Sequence, residues 1–356
     1  SGNIAVSSLT VNTNNGSSSL SGIISGSATL SKSGTGSLTL SGINTYSGQT
    51  TISAGTLNIS GRLGSGTYSG NISNSGTLTY SSSSNQTLSG TISGIGALTK
   101  SGSSTLTLSG TNTYSGSTTI SQGTLAVSNI SNLGATPVSV DADNIIFNGG
   151  ALQITSSFDL DSNKGIALTG NGTINTDSSK TLFYSGVISG SGNLTKSGSG
   201  SLMLNGTNTY TGSTTISAGN LILGSSSAIP TGGELTVNGL LNLNGFDLSV
   251  NSLSGSGSIV NYGGYDLYEY NNGSLLDGLI LYLDPGNPLS YSGSGTSWSD
   301  LSSYDSDVTI TGSPSYDSST GTFNFTDGKY AYVSSNQSNF DDLRTGFSVF
   351  SIYNFG

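Results

Sequence analysis

"LTKSGSSTLTLSGTNTYSGSTTISQGTL", from Leu98 to Leu125, is one of three closely similar stretches in this chain. The repeated units that contain these stretches cover residues 20–59, 88–127 and 184–223. The tyrosines of their NTY tripeptides lie 68 and 96 residues apart, and so do their lysines. Repeats with a period of tens of residues predict a stack of small structural units. The second interval is the longer one, and its additional segment predicts one further turn of the stack or one outward excursion.

Apolar and small polar residues alternate within each unit, as in the run Ser37-Leu38-Thr39-Leu40. Alternation with a period of two is typical of β-strands, and the glycine-containing pairs between the runs favour tight corners. We therefore predict that residues 1–261 form a right-handed parallel β-solenoid (β-helix). About ten turns, each ~4.8 Å high, would give a length of roughly 50 Å. Lysines in adjacent turns would bring like charges within about 5 Å, so their wide spacing favours several turns per repeat.

Composition excludes several functional classes. The 356 residues include 54 glycines but no Cys and no His, which excludes disulfides, a Ser-His-Asp triad and the usual zinc sites. The net charge is −10, of which −9 falls in residues 261–356, and neither part is basic, so we expect no nucleic-acid partner. No apolar run reaches 18 residues, so we predict no membrane-spanning helix. Since repeat arrays need covered ends, we expect further turns or a partner subunit to precede Ser1.

The stretch from Leu98 to Leu125 resembles the passenger-associated transport repeat of bacterial autotransporters, also called the autotransporter-associated β-strand repeat. The intervening segments 144–198 and 239–261 also resemble the strands between such repeats, so the resemblance covers roughly residues 20–261. It implies a secreted β-helical stalk on a cell or particle surface.

A second resemblance begins at Gly278. Residues 278–333, with an apolar strand before an Asp-Pro pair, the element TSWSDLS and the predicted hairpin FNFTDGKYAYV, resemble the first strands of a concanavalin-A-like (laminin-G-type) domain. The resemblance implies that residues 278–356 are an incomplete β-sandwich (jelly roll). Residues 262–277 contain four closely spaced tyrosines and are predicted to cap the solenoid or to act as a linker.

Three acidic residues, Asp300, Asp305 and Asp307, form the best local cluster of oxygen ligands in the acidic C-terminal part. Carboxylate oxygens are the ligands that Ca²⁺ prefers, and lectin-like sandwiches often hold Ca²⁺. The sequence therefore predicts a Ca²⁺ site there, and no other cofactor.

The NTY tyrosines Tyr46, Tyr114 and Tyr210 allow two interpretations. They could form a row on which sugar rings stack, or each could close a corner while the neighbouring asparagine bonds to local backbone. Their fixed place within a packing repeat favours the second interpretation.

A polysaccharide-cleaving β-helix would need paired carboxylates about 5–9.5 Å apart. The candidate pairs are Asp141 with Asp143 and Asp159 with Asp161, because alternate positions of a strand share a face. Solvated corners of an inserted loop are the favoured interpretation, so we assign no catalytic residue.

These observations predict an extracellular structural or adhesive fibre protein. In this hypothesis a stiff solenoid stalk presents a lectin-like, glycan-binding head on a cell surface, a filament or a virion, and the chain assembles into a homo-oligomer or larger array. The alternative is a surface polysaccharide depolymerase.

Overall fold

The computed structural model describes residues 2–261, together with the backbone of five short strands between Ser297 and Val333. The chain divides into two compact units, Ser1–Tyr262 and Gly263–Gly356. The Tyr-rich segment 262–277 lies outside the described residues. So do Asp300, Asp305 and Asp307, and the predicted Ca²⁺ site therefore stays a prediction.

The first unit consists of short strands joined by corners. In chain order its strands are β1 Ile4–Ala5, β2 Ser8–Asn12, β3 Ser17–Leu20, β4 Ile24–Ser25, β5 Thr29–Ser33, β6 Ser37–Leu40, β7 Ile43–Asn44, β8 Thr50–Ile52, β9 Thr56–Ile59, β10 Arg62–Leu63, β11 Thr67–Tyr68, β12 Ile72–Asn74, β13 Thr77–Tyr80, β14 Gln86–Leu88, β15 Ile92–Ser93, β16 Ala97–Lys100, β17 Thr105–Leu108, β18 Thr118–Ile120, β19 Thr124–Val127, β20 Asp141–Phe147, β21 Ala151–Ile154, β22 Phe158–Leu160, β23 Lys164–Leu168, β24 Gly172–Thr176, β25 Thr181–Tyr184, β26 Ile188–Gly190, β27 Leu194–Ser197, β28 Ser201–Leu204, β29 Thr214–Ile216, β30 Asn220–Leu223, β31 Glu234–Val237, β32 Leu240–Asn242, β33 Ser252–Ser254 and β34 Ser258–Val260. Two single-turn 3-10 helices, Gly64–Gly66 and Ile130–Leu133, lie at corners.

All strand pairs of this unit are parallel, and the two strands of a pair lie one circuit of the chain apart. A regular circuit, called a turn below, runs from Ser17 to its register partner Ser37. One turn is clearly longer: it runs from Thr124 to its partner Ala151 and is called the long turn below. The result is an all-β parallel solenoid of about 13 turns, more than the ten predicted. At ~4.8 Å per turn its length is roughly 60 Å.

The core is a set of apolar ladders inside the coil. Leu38, Leu57, Leu78 and Leu98 are register partners in four successive turns, and each is at most 2% exposed. The alternation read from the sequence therefore does place leucines inward and Ser or Thr outward.

The lysines of the three repeats lie on three different sheets. Lys32 is in β5 of the five-stranded sheet, Lys100 in β16 of the nine-stranded sheet and Lys196 in β27 of the ten-stranded sheet. Three turns lead from β5, which holds Lys32, to β15, the strand directly before that of Lys100. Four turns lead from β16, which holds Lys100, to β26, the strand directly before that of Lys196. The long turn is one of those four, so the additional segment of the second interval supplies both an extra turn and an excursion.

The described strands of the second unit are antiparallel: β35 Ser297–Trp298, β36 Val308–Thr311, β37 Ser315–Asp317, β38 Thr322–Asn324 and β39 Tyr330–Val333. The hairpin predicted within 323–333 is not formed between these strands, because β38 pairs with β37 and β39 pairs with β36. The β-sandwich itself stays a prediction.

Candidate functional site

Each repeat contains a buried lysine, and its ammonium group is held by backbone carbonyls. Lys32, Lys100 and Lys196 are at most 1% exposed. Lys32 Nζ donates to Ser33 O (3.0 Å), Gly34 O (2.8 Å) and Ala54 O (3.0 Å); Lys100 Nζ donates to Gly102 O and Gln122 O (3.1 Å); Lys196 Nζ donates to Ser197 O (2.6 Å), Gly198 O (2.9 Å) and Ala218 O (3.3 Å). Each lysine thus binds its own corner and the corresponding corner of the next turn.

Burial changes the acid–base behaviour of these lysines, because an ammonium group loses hydration inside the coil. Desolvation lowers the pKa of Lys32, and it lowers the pKa of Lys100 and of Lys196 to about 8. The wide lysine spacing correctly predicts several turns per repeat, but it does not predict the burial of these side chains.

The asparagine of each NTY tripeptide connects three turns. Asn208 Oδ1 accepts a hydrogen bond from the Ile188 amide (2.8 Å) in the preceding turn, and Asn208 Nδ2 donates to Ala228 O (2.6 Å) in the next one. Asn44 and Asn112 make equivalent bonds, to Ile24 N and Arg62 O and to Ile92 N and Asn132 O. The prediction that these asparagines bond to local backbone is therefore incomplete, since their side chains mainly join neighbouring turns.

The NTY tyrosines are buried, which contradicts a sugar-stacking row. Tyr46, Tyr114 and Tyr210 are at most 1% exposed. Their hydroxyl groups lie 2.6–2.8 Å from the hydroxyl groups of the threonines four positions later, Thr50, Thr118 and Thr214. Desolvation raises the pKa of Tyr46, and it raises the pKa of Tyr114 and of Tyr210 to about 12. The favoured interpretation, that tyrosine closes a corner, is confirmed.

A fourth buried lysine, Lys164, lies outside the repeats, in the turn that follows the long turn. Its side chain has no exposed surface, and Nζ donates to Leu133 O (2.9 Å), Ala135 O (2.7 Å) and the side-chain oxygen of Asn144 (3.2 Å). Desolvation lowers its pKa to about 8, although the nearby carboxylates of Asp161 and Asp141 oppose the shift. Sequence reasoning misses this cluster. The only sign of it in the sequence is Lys164 itself, a charged residue in a chain with few charges.

The structure places the four carboxylates of the predicted acidic pairs in different surroundings. Asp143 and Asp159 are exposed, whereas Asp141 accepts a hydrogen bond from Asn144 Nδ2 (3.0 Å) and Asp161 accepts one from the Asn163 amide (2.8 Å). One member of each pair thus faces the Lys164 cluster and the other faces solvent.

The described residues contain no group of three or more Asp or Glu side chains positioned for a metal ion. In the described part of the chain, no helix is long and apolar enough to cross a membrane.

Comparisons with known proteins support the repeated units. Residues 30–59, 98–127 and 194–223 match the passenger-associated transport repeat. Over 153 residues, which are 40% of this chain, the sequence is 38% identical to the adhesin BmaC autotransporter of Brucella suis biovar 1 (strain 1330). The matched stretch covers 4% of that relative's length. No solved structure matches the chain.

Proposed function

We propose that this chain is a segment of an adhesive protein of the bacterial cell surface, in which residues 1–261 act as a stiff spacer. The observation that carries the proposal is the parallel pairing of successive turns in a solenoid of about 13 turns, in sheets of up to ten strands, reinforced by side chains that join the turns. The similarity to a protein named as an autotransporter adhesin supports the adhesive setting and the cell-surface location. Neither the strand pairing nor this similarity favours a location on a virion.

The interior of the solenoid suits a mechanical role. Backbone groups of each turn bond to the turns before and after it, so bending or opening one turn breaks many hydrogen bonds together. Four of the six basic residues before Asn261, namely Lys32, Lys100, Lys164 and Lys196, are buried. Only Arg62 and Lys180 are partly exposed there, so the folded coil offers trypsin few cleavage sites. A spacer outside the cell benefits from this resistance.

The depolymerase alternative finds no support in the described part of the coil. The similar protein is named an adhesin. We therefore do not adopt an enzymatic function.

Glycan binding is the second part of the proposal and concerns residues 278–356. A lectin-like domain there, with Ca²⁺ held by Asp300, Asp305 and Asp307, would supply the adhesive contact. Several copies in a homo-oligomer would strengthen weak binding by avidity.

A bead assay tests both parts. Beads coated with residues 1–356, with residues 1–261 or with albumin are placed on epithelial cells under flow. We expect only the full chain to retain beads, and periodate oxidation of the cell glycans or the triple variant D300N/D305N/D307N to abolish retention. Full-chain beads that detach like albumin beads would overturn the proposal that residues 278–356 supply the adhesive contact. Retention that survives periodate would overturn glycan recognition alone.

A further inference from the structure

Lys164 differs from the other buried lysines in what its amine contacts. The lysines of the repeats are held by backbone carbonyls, whereas Lys164 Nζ lies 3.2 Å from the side-chain amide oxygen of Asn144. Asn144 is 3% exposed and Lys164 is fully buried, so water does not compete for this contact. Two further carbonyls, Leu133 O and Ala135 O, hold the amine beside the amide.

The backbone places Asn144 inside the coil by breaking the alternation of the strand. In the pairing of β20 with β23, Asp141 is the register partner of Lys164 and Ile145 is the partner of Ile166. The stretch of β20 between these two partners is longer than the facing stretch of β23, which is a bulge, and bulges redirect side chains. Asn144 and Ile145 are consequently both buried although they are consecutive in a strand.

A carboxylate contacts the other end of the same amide. Asp141 Oδ2 accepts a hydrogen bond of 3.0 Å from Asn144 Nδ2, the nitrogen that would leave if the amide carbon were attacked. Amine, amide and carboxylate thus form a chain of contacts around a buried amide. These are the three groups that a transamidation needs: a nucleophile, an acyl group and an acid–base group on the leaving nitrogen.

We propose that Lys164 and Asn144 form an intramolecular isopeptide bond. Nζ of the neutral lysine attacks Cγ of Asn144, the Nζ–Cγ bond forms and the Cγ–Nδ2 bond breaks. Asp141 takes one proton from Nζ and delivers it to Nδ2, which leaves as ammonia, and Asp141 ends in its initial state. The step needs no oxidant, cofactor or second substrate.

Two features support the step. Burial favours the neutral amine, since it lowers the pKa of Lys164 to about 8. The two hydrogen-bonded carbonyls restrict the amine to one position, and such orientation removes much of the entropic barrier of a reaction between two groups. The bond would fasten the long turn to the turn that follows it, at the place where the solenoid departs most from its regular turns.

Mass spectrometry of the full chain tests the proposal. We expect the intact mass to be lower than the sequence mass by one ammonia molecule. After denaturation and digestion with trypsin, we expect residues 101–180 as a single peptide that is lighter by the same amount, because an acylated Lys164 resists trypsin. Cleavage after Lys196, which is buried but contacts only carbonyls, should be complete and provides the internal control.

The variant D141N tests bond formation independently of folding, because it keeps both reacting side chains. We expect D141N to unfold cooperatively like the wild type, to have the full sequence mass and to be cleaved after Lys164. A wild-type mass equal to the sequence mass would overturn the proposal. So would a lighter mass with normal cleavage after Lys164, since a cyclised asparagine elsewhere explains that result. A bond that persists in D141N would overturn the role of Asp141.

Discussion

The Nζ atom of Lys196 donates a hydrogen bond of 3.3 Å to the carbonyl oxygen of Ala218, which lies one turn further along the solenoid. The same amine also binds the carbonyls of Ser197 and Gly198 in its own corner. A single buried cation thus satisfies carbonyls of two successive turns. Because a buried carbonyl without a partner is costly, the lysine of the repeat stabilises the stacking of turns as well as its own corner.

Replacing Lys196 by methionine keeps the side chain long and unbranched but removes the donor. Up to three partly buried carbonyls then lose a partner, and we expect the free energy of unfolding to fall by about 1–3 kcal/mol. Lys180, which is only partly buried, is the matched control, and K180M should change stability by less than about 0.5 kcal/mol. Urea unfolding followed by circular dichroism measures both. Equal effects of the two variants would contradict a stabilising role for the lysine of the repeat.

The alternation that predicts the strands also predicts on which strand face this lysine lies. In the run Leu194-Thr195-Lys196, the lysine shares a strand face with a leucine that is buried, so the pattern itself places Lys196 inward. Residue type instead predicts an exposed side chain, because lysine is rarely buried unless it is paired. The stack, the leucine ladders and the buried tyrosines are therefore predictable from the sequence, but the burial of the lysines is not.

Other parts of the site depend on contacts that no local pattern reports. Asn208 bonds to residues 20 positions away in both directions, and its partners are known only once the turn length is known. The contact between Lys164 and Asn144 requires a bulge, which interrupts the alternation on which the prediction rests. The number of turns is underestimated from the sequence because a regular turn, such as the one from Ser17 to Ser37, is shorter than ten turns in residues 1–261 would require.

Changing Asn208 to aspartate tests the connection between turns. The carboxylate can still accept a hydrogen bond from the Ile188 amide, but it has no hydrogen to donate to Ala228 O and it places a charge in a buried site. We expect N208D to lose more than about 2 kcal/mol at neutral pH. Protonation restores a donor, so the loss should shrink as the pH falls through the raised pKa of the new carboxyl group.

The exposed residue Asn193 provides the control for this substitution. Its Oδ1 accepts a hydrogen bond from the Ser213 amide (2.8 Å), which a carboxylate accepts equally well. N193D should therefore leave the urea midpoint nearly unchanged. A loss of stability in N208D that does not depend on pH would argue against a missing donor as its cause.

Buried lysines and tyrosines predict an alkaline optimum of stability. Lys100 and Lys196 have a pKa of about 8 in the folded chain and 10.5 as their ordinary value. Between these values the unfolded chain binds more protons, so stability rises with pH. Tyr114 and Tyr210 have a pKa of about 12 when folded and 10.0 ordinarily, so above pH 10 the folded chain binds more protons and stability falls.

Urea midpoints measured across this range should therefore be highest near pH 10, with a gain of at least about 1 kcal/mol over pH 8. The variant K196M should show a smaller rise between pH 8 and pH 10, since one of the titrating groups is absent. Lys164 contributes to the rise only if it remains a free amine. A midpoint that falls steadily from pH 8 upward would show that the lysines are not desolvated in the folded chain.

The glycines that follow the TLTLSG-type strands lie where the backbones of successive turns come close together. A Cβ atom on Gly206 would lie 2.0 Å from the carbonyl oxygen of Gly186, one turn earlier, so the two backbones can stack only without a side chain at this corner. We expect G206A to destabilise the solenoid by about 1–3 kcal/mol or more, because backbone on both sides must move. Gly233 is the matched control, since its nearest neighbour, Gly212 O, would lie at an ordinary 3.5 Å from the added atom. G233A should remain within about 0.5 kcal/mol of the wild type in urea unfolding. If both alanine variants are equally stable, close backbone stacking is not what requires glycine in the repeat.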